Sequence, residues 1–365
     1  MTRREEEILT LIRENPFINQ EEIARSLGIA RSSVGVHIAN LMKKGKIKGR
    51  GYILASDEPE VTVIGGANID ICGYPFKELK MRDSNPGLVK MSLGGVGRNI
   101  AENLARLGVT TRLITAVGGD FYGKYILEKC REVGLNTDEI LIIAGENSSV
   151  YLSVMDGQGD MAVAVAGMEI LEHLTLDYFK KKLPIIGSSK VCVVDTNLPL
   201  KTLEYLLENV RGTAFFVDGV SAAKAVKLKE LRGEYFAVKL NKIEAAEVTG
   251  EDLDRDAGLR KAANYFLRKG VKQVFFTLGA EGVFYSNGES QEKVVLPQVE
   301  PVNATGAGDA FTAALVYSYL RGFDIDRTAK FAAAMAVLTL MAEEAVNPEI
   351  AEEKIINKME VLGLC

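Results

Sequence analysis

Apolar positions in the first 55 residues repeat at helical spacing over three short stretches. Ile8, Leu11 and Ile12 share one face between Arg3 and Glu14, where Asn15-Pro16 ends the first helix. Asn19 with Glu22 three residues on is a capping-box start for a second helix carrying Ile23, Ala24 and Leu27. Leu27-Gly28-Ile29 is a tight turn. A third helix from about Arg31 to Lys43 turns Val34, Ile38 and Leu41 inward and leaves Arg31, Ser32, Ser33 and His37 outward. Lys46 to Leu54 predicts a short hairpin, and Ala55 to Glu60 is a polar linker with one proline. Beyond it the pattern changes to short apolar runs alternating with helical stretches. Strands are expected at Val61 to Ile64, Arg112 to Val117, Val191 to Val194, Ala214 to Val217, Tyr235 to Leu240 and Val274 to Leu278, with helices at Arg98 to Leu107 and Lys242 to Val248. That alternation predicts an α/β fold on a mostly parallel sheet. Ile69 to Met91 and Ser149 to Ala166 instead alternate with period two, the second around Asp156-Gly157. They predict extra antiparallel strands beside the main sheet, forming a small lid. The expected domains are residues 1–55 and 60–365.

Composition narrows the classes. With 365 residues, 47% of them apolar, the chain has material for a sizeable core and more than one domain. The first ten residues, MTRREEEILT, are too charged for a signal peptide, and the longest apolar run, Phe331 to Ala342, is too short to cross a bilayer. A cytoplasmic protein with no membrane partner is expected. Cys72, Cys130, Cys192 and Cys365 form no C-x-x-C pair, so neither a disulfide framework nor a cysteine zinc site is indicated. His37 and His173 are the only histidines, so chemistry in the larger domain rests on carboxylates, amides and backbone. Charge is uneven: residues 1–55 carry ten Lys/Arg against six Glu, and the remainder carries 34 basic against 43 acidic residues. The two parts face different partners.

The stretch with the most chemistry is Pro301-Val302-Asn303-Ala304-Thr305-Gly306-Ala307-Gly308-Asp309-Ala310-Phe311, which leads into an alanine-rich helical run. Gly306, Ala307 and Gly308 are small enough to bring backbone N–H groups close to an anion at a helix start. Asp309 at its mouth is placed to accept a proton from an incoming hydroxyl. Phosphoryl transfer to an alcohol fits, although a glycine turn closed by an aspartate helix cap would look the same. A second glycine cluster, Gly94-Gly95-Val96-Gly97-Arg98-Asn99, is not a dinucleotide turn, because the third glycine of G-x-G-x-x-G falls on Ile100. The chain has no G-x-x-x-x-G-K-[ST] loop either.

Taken together, the two clusters resemble the paired signatures of the ribokinase-like (PfkB) carbohydrate kinases: Gly94-Gly95 with Asn99, Ala101, Leu104-Ala105 and Leu107-Gly108, then Gly306-Ala307-Gly308-Asp309. The resemblance spans residues 60–350 and implies a three-layer α/β/α kinase domain with a small β lid. It implies Asp309 as catalytic base beside an anion hole at Gly306, Ala307 and Gly308. It implies Asn68 and Asp70 as the sugar-hydroxyl pair, with Gly94, Gly95, Arg98 and Asn99 closing on the same substrate. Asn241, Thr277, Gly279, Gly282 and Asn347 are implied for ATP, and Glu244 for Mg²⁺ through water, with Glu247 an alternative by composition. A monovalent cation is left open, because Asn303 and Ala304 stand where Asp and Thr are usual in the family. Within the family, Gly94 to Asn103 and Ser84-Asn85-Pro86-Gly87 are most similar to pseudouridine kinases, which implies transfer to a ribosyl 5′-hydroxyl; ribose or inosine remains the alternative. A homodimer is expected. Residues 1–55 resemble the winged-helix domains of bacterial transcription regulators, which implies duplex DNA as a partner, with Arg31, Ser32, Ser33 and His37 toward the bases and Lys46, Lys48 and Arg50 toward phosphates. From Arg31 to Arg50 there are six Lys/Arg and no acid. A helical dimerisation module with a solvated basic face, and a sugar-sensing regulator built on a silent kinase fold, are the other readings.

Overall fold

Two strong helix caps set the N-terminal unit, Met1–Glu58, of the computed structural model, which describes residues 2–15, 18–44, 46–47, 59–158 and 160–365. Thr2 and Glu5 form a capping box at the start of α1 (Arg3–Glu14), and Asn19 and Glu22 form another at α2 (Gln20–Leu27). Gly28, at φ +63°, ends α2 in the left-handed conformation and turns the chain into α3 (Arg31–Lys43). The core between the three helices is Ile8, Leu9, Ile12, Ile23, Val34, Ile38 and Leu41, all nearly solvent-free. Leu9 takes the place expected of Leu11, which is only partly buried. Lys44 is not free at the end of α3, since it donates to both oxygens of buried Glu5, 2.9 and 2.8 Å away. The expected hairpin at Lys46 to Leu54 lies almost wholly outside the described residues.

In the second unit, Pro59–Cys365, the chain runs β1 (Val61–Ile64), β2 (Asn68–Pro75), β3 (Gly87–Gly94), α4 (Val96–Arg106), β4 (Thr111–Ile114), β5 (Ala116–Gly118), α5 (Phe121–Glu132), β6 (Leu141–Ile143), β7 (Val150–Met155) and β8 (Met161–Gly167). It continues through α6 (Leu176–Gly187), β9 (Val191–Asp195), α7 (Leu200–Asn209), β10 (Ala214–Asp218), α8 (Ala222–Ala225), β11 (Ala237–Asn241), α9 (Lys242–Thr249), α10 (Asp256–Arg268) and β12 (Gln273–Thr277). β13 (Val283–Ser286), β14 (Gln291–Val294), α11 (Ala307–Arg321), α12 (Ile325–Leu340) and α13 (Glu352–Val361) complete it.

Eight strands form the main sheet in the order β14-β13-β12-β11-β10-β9-β1-β4. The six from β12 to β4 are parallel, and β13 and β14 add antiparallel ladders at one edge. Strands such as β1 and β9 are buried throughout, as expected for a sheet covered on both faces. Helices α4, α5, α11, α12 and α13 pack on one face, and α6, α7, α9 and α10 on the other. The result is the three-layer α/β/α domain.

Two expectations need correction. The run Arg112 to Val117 is two strands, because β4 is an edge strand and the chain leaves the main sheet at buried Thr115. Its carbonyl accepts from Leu141, and β5 then pairs with β6. The lid is a four-stranded sheet, β3-β2-β7-β8, but β2 and β7 pair in parallel; only the two hairpin-like pairs, β2 with β3 and β7 with β8, are antiparallel. A parallel pair needs a crossover, which the segment from α4 to β6 supplies.

Gly97 is where α4 meets β1. A Cβ there would lie 2.7 Å from the Gly65 backbone, which has no side chain to move aside. Gly97→Ala should therefore destabilise the kinase domain by ~1–3 kcal/mol, as overpacking against backbone does. Chemical denaturation followed by circular dichroism checks this; an unchanged midpoint would show that the contact opens freely.

Candidate active site

Parallel strands deliver their C-terminal ends to one edge of the sheet, and in this chain the polar residues gather there. Gly65-Gly66 follow β1, Asp195 and Asn197 end and follow β9, Asp218 ends β10, Asn241 ends β11 and Thr277 ends β12. β1 lies between β9 and β4, so the strand order reverses beside it. Two cavities open along this edge. The first, of about 150 Å³, is lined by Asn68, Asp70, Gly95, Asn99, Thr305 and Asp309. The second, of about 480 Å³ and more apolar, is lined by Asn241, Thr277, Gly279, Gly282, Ala307 and Gly308. The turn from 304 to 309 forms the wall between them.

That turn begins α11. Gly306 sits at φ +83°, and a Cβ there would collide with the Ala345 carbonyl oxygen. Ala310 N donates to Gly306 O at 2.9 Å and Thr305 N to Asn303 Oδ1 at 2.9 Å; the N–H groups of Ala307, Gly308 and Asp309 precede the first intrahelical bond, on residues that line the two cavities. Asp309, in the first turn of α11, is 8% exposed. Its Oδ2 accepts from Asn99 Nδ2 at 2.6 Å. Asn99 is oriented in turn by Arg98, which donates to Asn99 Oδ1 and to Glu102, and Arg106 donates to Glu102 Oε1 at 2.9 and 2.7 Å. A relay along one side of α4 thus fixes the carboxylate. Burial, with the Asp218 charge, pushes the Asp309 pKa up to about 7, against the Asn99 hydrogen bond and the Lys239 and Arg98 charges.

The other expected residues sort into three groups. Asn68 and Asp70 stand together, Asn68 Nδ2 donating to Asp70 Oδ1 at 2.6 Å, and burial raises the Asp70 pKa against that bond and Arg98. Asn241, Thr277, Gly279 and Gly282 line the second cavity. Four others are elsewhere. Arg98 is buried behind Asn99, its Nη2 also donating to Leu93 O at 2.8 Å, and it does not line the first cavity. Gly94 packs against the Asp70 carboxyl rather than facing the cavity. Asn347 does not line the second cavity; its amide closes on Leu338 O and its Oδ1 caps Glu349 N. Glu244 is 1% exposed and uses both oxygens in a capping box, accepting from Asn241 N at 2.8 Å and Asn241 Nδ2 at 2.7 Å. It lines neither cavity, and among the described residues no group of three His, Cys, Asp or Glu side chains could hold a metal ion.

In α3, Arg31, Ser32 and Ser33 are exposed, and Arg31 Nη1 meets Glu21 Oε1 at 3.3 Å. His37 is half-buried, with an unpartnered Nδ1, rather than outward. Lys46 is exposed; Lys48 and Arg50 lie outside the described residues.

Sequence reasoning missed the far wall of the first cavity: Ser149, Met168, Leu171, Asn197, Val220 and Lys224. Lys224 Nζ donates to Asn197 Oδ1 at 2.5 Å. Ser149, 2% exposed, has a buried hydroxyl without a partner. Val220 sits at φ +61°, a strained conformation for a β-branched residue, held by Asp218 Oδ1 accepting from its N–H at 2.9 Å. The available signal was positional, since Asn197 and Val220 follow strands on the edge where parallel sheets bind ligands.

Residues 58–352 match the pfkB family carbohydrate kinase model and residues 1–48 match a winged helix-turn-helix DNA-binding model. The chain belongs to the pfkB family of carbohydrate kinases, phosphotransferases with an alcohol acceptor. It is 37% identical to the pseudouridine kinase of Escherichia coli over 82% of this chain and 96% of that one. It is 36% identical to the uncharacterized sugar kinase YeiI of the same organism over 98% of this chain and 99% of the relative. Among solved structures, a carbohydrate kinase from Agrobacterium tumefaciens superposes with a TM-score of 0.72 at 28% identity, covering 83% of this chain and 97% of that one.

The position of Asp309 has a consequence for stability. Between its unfolded value near 3.8 and its folded value of about 7, the native state keeps a proton that the unfolded chain has released. Stability contributed by this group therefore falls as pH rises through that window. Asp309→Asn removes the effect, so its stability relative to wild type should rise from pH 4 to pH 8, by up to ~4 kcal/mol at roughly 1.4 kcal/mol per pKa unit. Urea titrations of both proteins at the two pH values measure it; a pH-independent difference would contradict the buried, protonated carboxyl.

Proposed function

We propose that the kinase domain transfers the γ-phosphoryl group of ATP to the 5′-hydroxyl of a ribonucleoside, with pseudouridine as the preferred acceptor. The observation that carries this is the turn at the head of α11: it separates two cavities, and Asp309 faces the first. The second cavity, walled by Ile243, Leu278, Val283, Leu296, Val337 and Leu340, suits a planar base, with Ala307 and Gly308 at its phosphate end. The Asn68 and Asp70 pair supplies one amide and one carboxylate for vicinal ribose hydroxyls. Beyond them, Lys224, Asn197 and the unpartnered Ser149 hydroxyl offer more polar groups than a free sugar uses, beside Met168 and Leu171. That surplus, and the likeness to a pseudouridine kinase, favour a nucleoside over ribose.

In the reaction the acceptor oxygen attacks the γ-phosphorus, its proton passes to Asp309, and the bond from the γ-phosphorus to the β-bridging oxygen breaks, releasing ADP. The N–H groups at the head of α11 meet the negative charge on the transferring group. Asn99 holds the carboxylate in line. Mg²⁺ bound with the phosphates would neutralise part of their charge, and Asn241 and Glu244 at the start of α9 would hold it through its water shell. A silent sensor would need no buried proton acceptor.

Asp309→Asn should lower kcat by about 10²–10⁴, the range for losing a positioned general base. A coupled ADP assay over nucleosides and sugars, with Mg²⁺ varied, should rank pseudouridine above uridine and penalise 2′-deoxy analogues by about 1–3 kcal/mol through an unpaired buried acceptor. Free ribose or a purine nucleoside with the highest kcat/KM would remove the pseudouridine assignment and leave the kinase.

The N-terminal unit supports a second activity, binding of duplex DNA, with Arg31, Ser32 and Ser33 of α3 toward the major groove and Lys46, with Lys48 and Arg50, toward phosphates. The exposed apolar lid residues Phe76, Leu88, Val89, Met161, Val163 and Val165 favour a homodimer, since two lids packed together would cover them. Anisotropy titrations should show affinity falling steeply with salt, with the slope reduced by about one for each phosphate-contacting residue removed. Sedimentation of the same sample reads the dimer. Salt-independent binding, or a 39.7 kDa species, would contradict the respective proposals.

A further inference from the structure

One buried ion pair beside the active site has no role in the steps above. Lys239 stands in β11 between Val238 and Leu240, both solvent-free, and is itself 6% exposed. Its Nζ lies 3.4 Å from Oδ2 of Asp218, which is 1% exposed at the end of β10. Asp218 is fixed from two more sides, Oδ2 accepting from Thr312 Oγ1 at 2.6 Å and Oδ1 from Val220 N at 2.9 Å. Thr312 belongs to α11, so the pair is tied to the helix that carries Asp309. The ammonium is pressed against the start of that helix: a Cβ on Gly308 would lie 2.7 Å from Nζ.

A cation there has the wrong sign for helix stability, because the N-terminus of a helix is itself positive. The same placement adds to the field that an anion meets at that turn. We propose that Lys239, held by Asp218, is a positioning residue for the phosphoryl transfer: it acts on the transferring group through the first turn of α11 and on Asp309 through space. This rests on the kinase reading given above.

The groups facing Asp309 are Asn99 and Arg98 from α4, Asp218 from β10 and Lys239 from β11. Glu244 of α9 faces Lys239, and Asp70 and Lys224 share the first cavity with Asp309. Burial works against the Lys239 ammonium, but Asp218, Glu244 and Asp309 outweigh it, so Lys239 stays charged. Asp218 and Lys239 pull the protonation of Asp309 in opposite directions. Arg98, the other cation, is engaged with Glu102 and Asn99. Removing either member of the pair should therefore move the same titration with opposite sign.

The test is kcat/KM for the nucleoside acceptor against pH in wild type, Lys239→Met, Asp218→Asn and the double variant. The acid limb should move up by about one pH unit in Lys239→Met and down by a similar amount in Asp218→Asn, the usual scale for a neighbouring charge, with the double variant near wild type. The plateau kcat of Lys239→Met should fall at least about tenfold through the weakened anion site. Titration of ATP itself is common to all four proteins and cancels. Limbs that coincide in both single variants, or move the same way, overturn the proposal. Should Lys239→Met fail to fold, Asp218→Asn decides alone: a downward shift supports it and an unmoved limb overturns it. A wild-type profile with no acid limb, or one that survives in Asp309→Asn, would instead remove Asp309 as the base and so fail the reading beneath.

Discussion

A carboxylate buried at the first turn of a helix is the constraint around which this kinase domain is arranged. Asp309 lines the first cavity while Ala307 and Gly308 line the second, so one turn of backbone faces both. Only a residue without a side chain can stand at φ +83° against the Ala345 backbone, and Gly306 does so. Burial then raises the proton affinity of Asp309 to the neutral range, where a base can take a proton and release it again.

Holding such a group requires support from elements far apart in sequence. From one side α4 presents Asn99, whose amide is turned by Arg98 and, behind it, by Glu102 and Arg106. α4 can come this close because Gly97 lies on Gly65 with no side chain between them. From beneath, β10 and β11 present Asp218 and Lys239, tied to α11 through Thr312. Arg98 and Gly94, expected as substrate contacts, instead pack against Asn99 and Asp70, which line the first cavity. Glu244 likewise is spent on holding Asn241 and the start of α9.

The lid completes the first cavity. β2 brings Asn68 and Asp70 to the cavity, and Ser149, whose carbonyl accepts from Ile69 N, leads into β7 beside it. Because β2 joins β3 and β7 in one small sheet, the Asn68 and Asp70 pair and the exposed apolar lid face belong to the same element. A change in how the lid packs would reach Asp70 directly.

How much of this was legible in the sequence follows from the range of the forces involved. Helix caps, glycine turns and apolar periodicity act within a few residues, so α1, α2, α3, β1 and the glycine-led start of α11 could be read locally, and Asp309, Asn68, Asp70 and Asn99 stood out by residue type and motif. The break at Thr115, the parallel pairing of β2 with β7, and the engagement of Arg98, Asn347 and Glu244 depend on partners that only the fold brings near. So does the pairing of Lys239 with Asp218, and the cavity wall made by Ser149, Asn197 and Lys224. The sequence by itself determined which groups could do chemistry; the tertiary structure decided which of them face a cavity, because a buried polar side chain must spend its hydrogen bonds on whatever the packing places beside it.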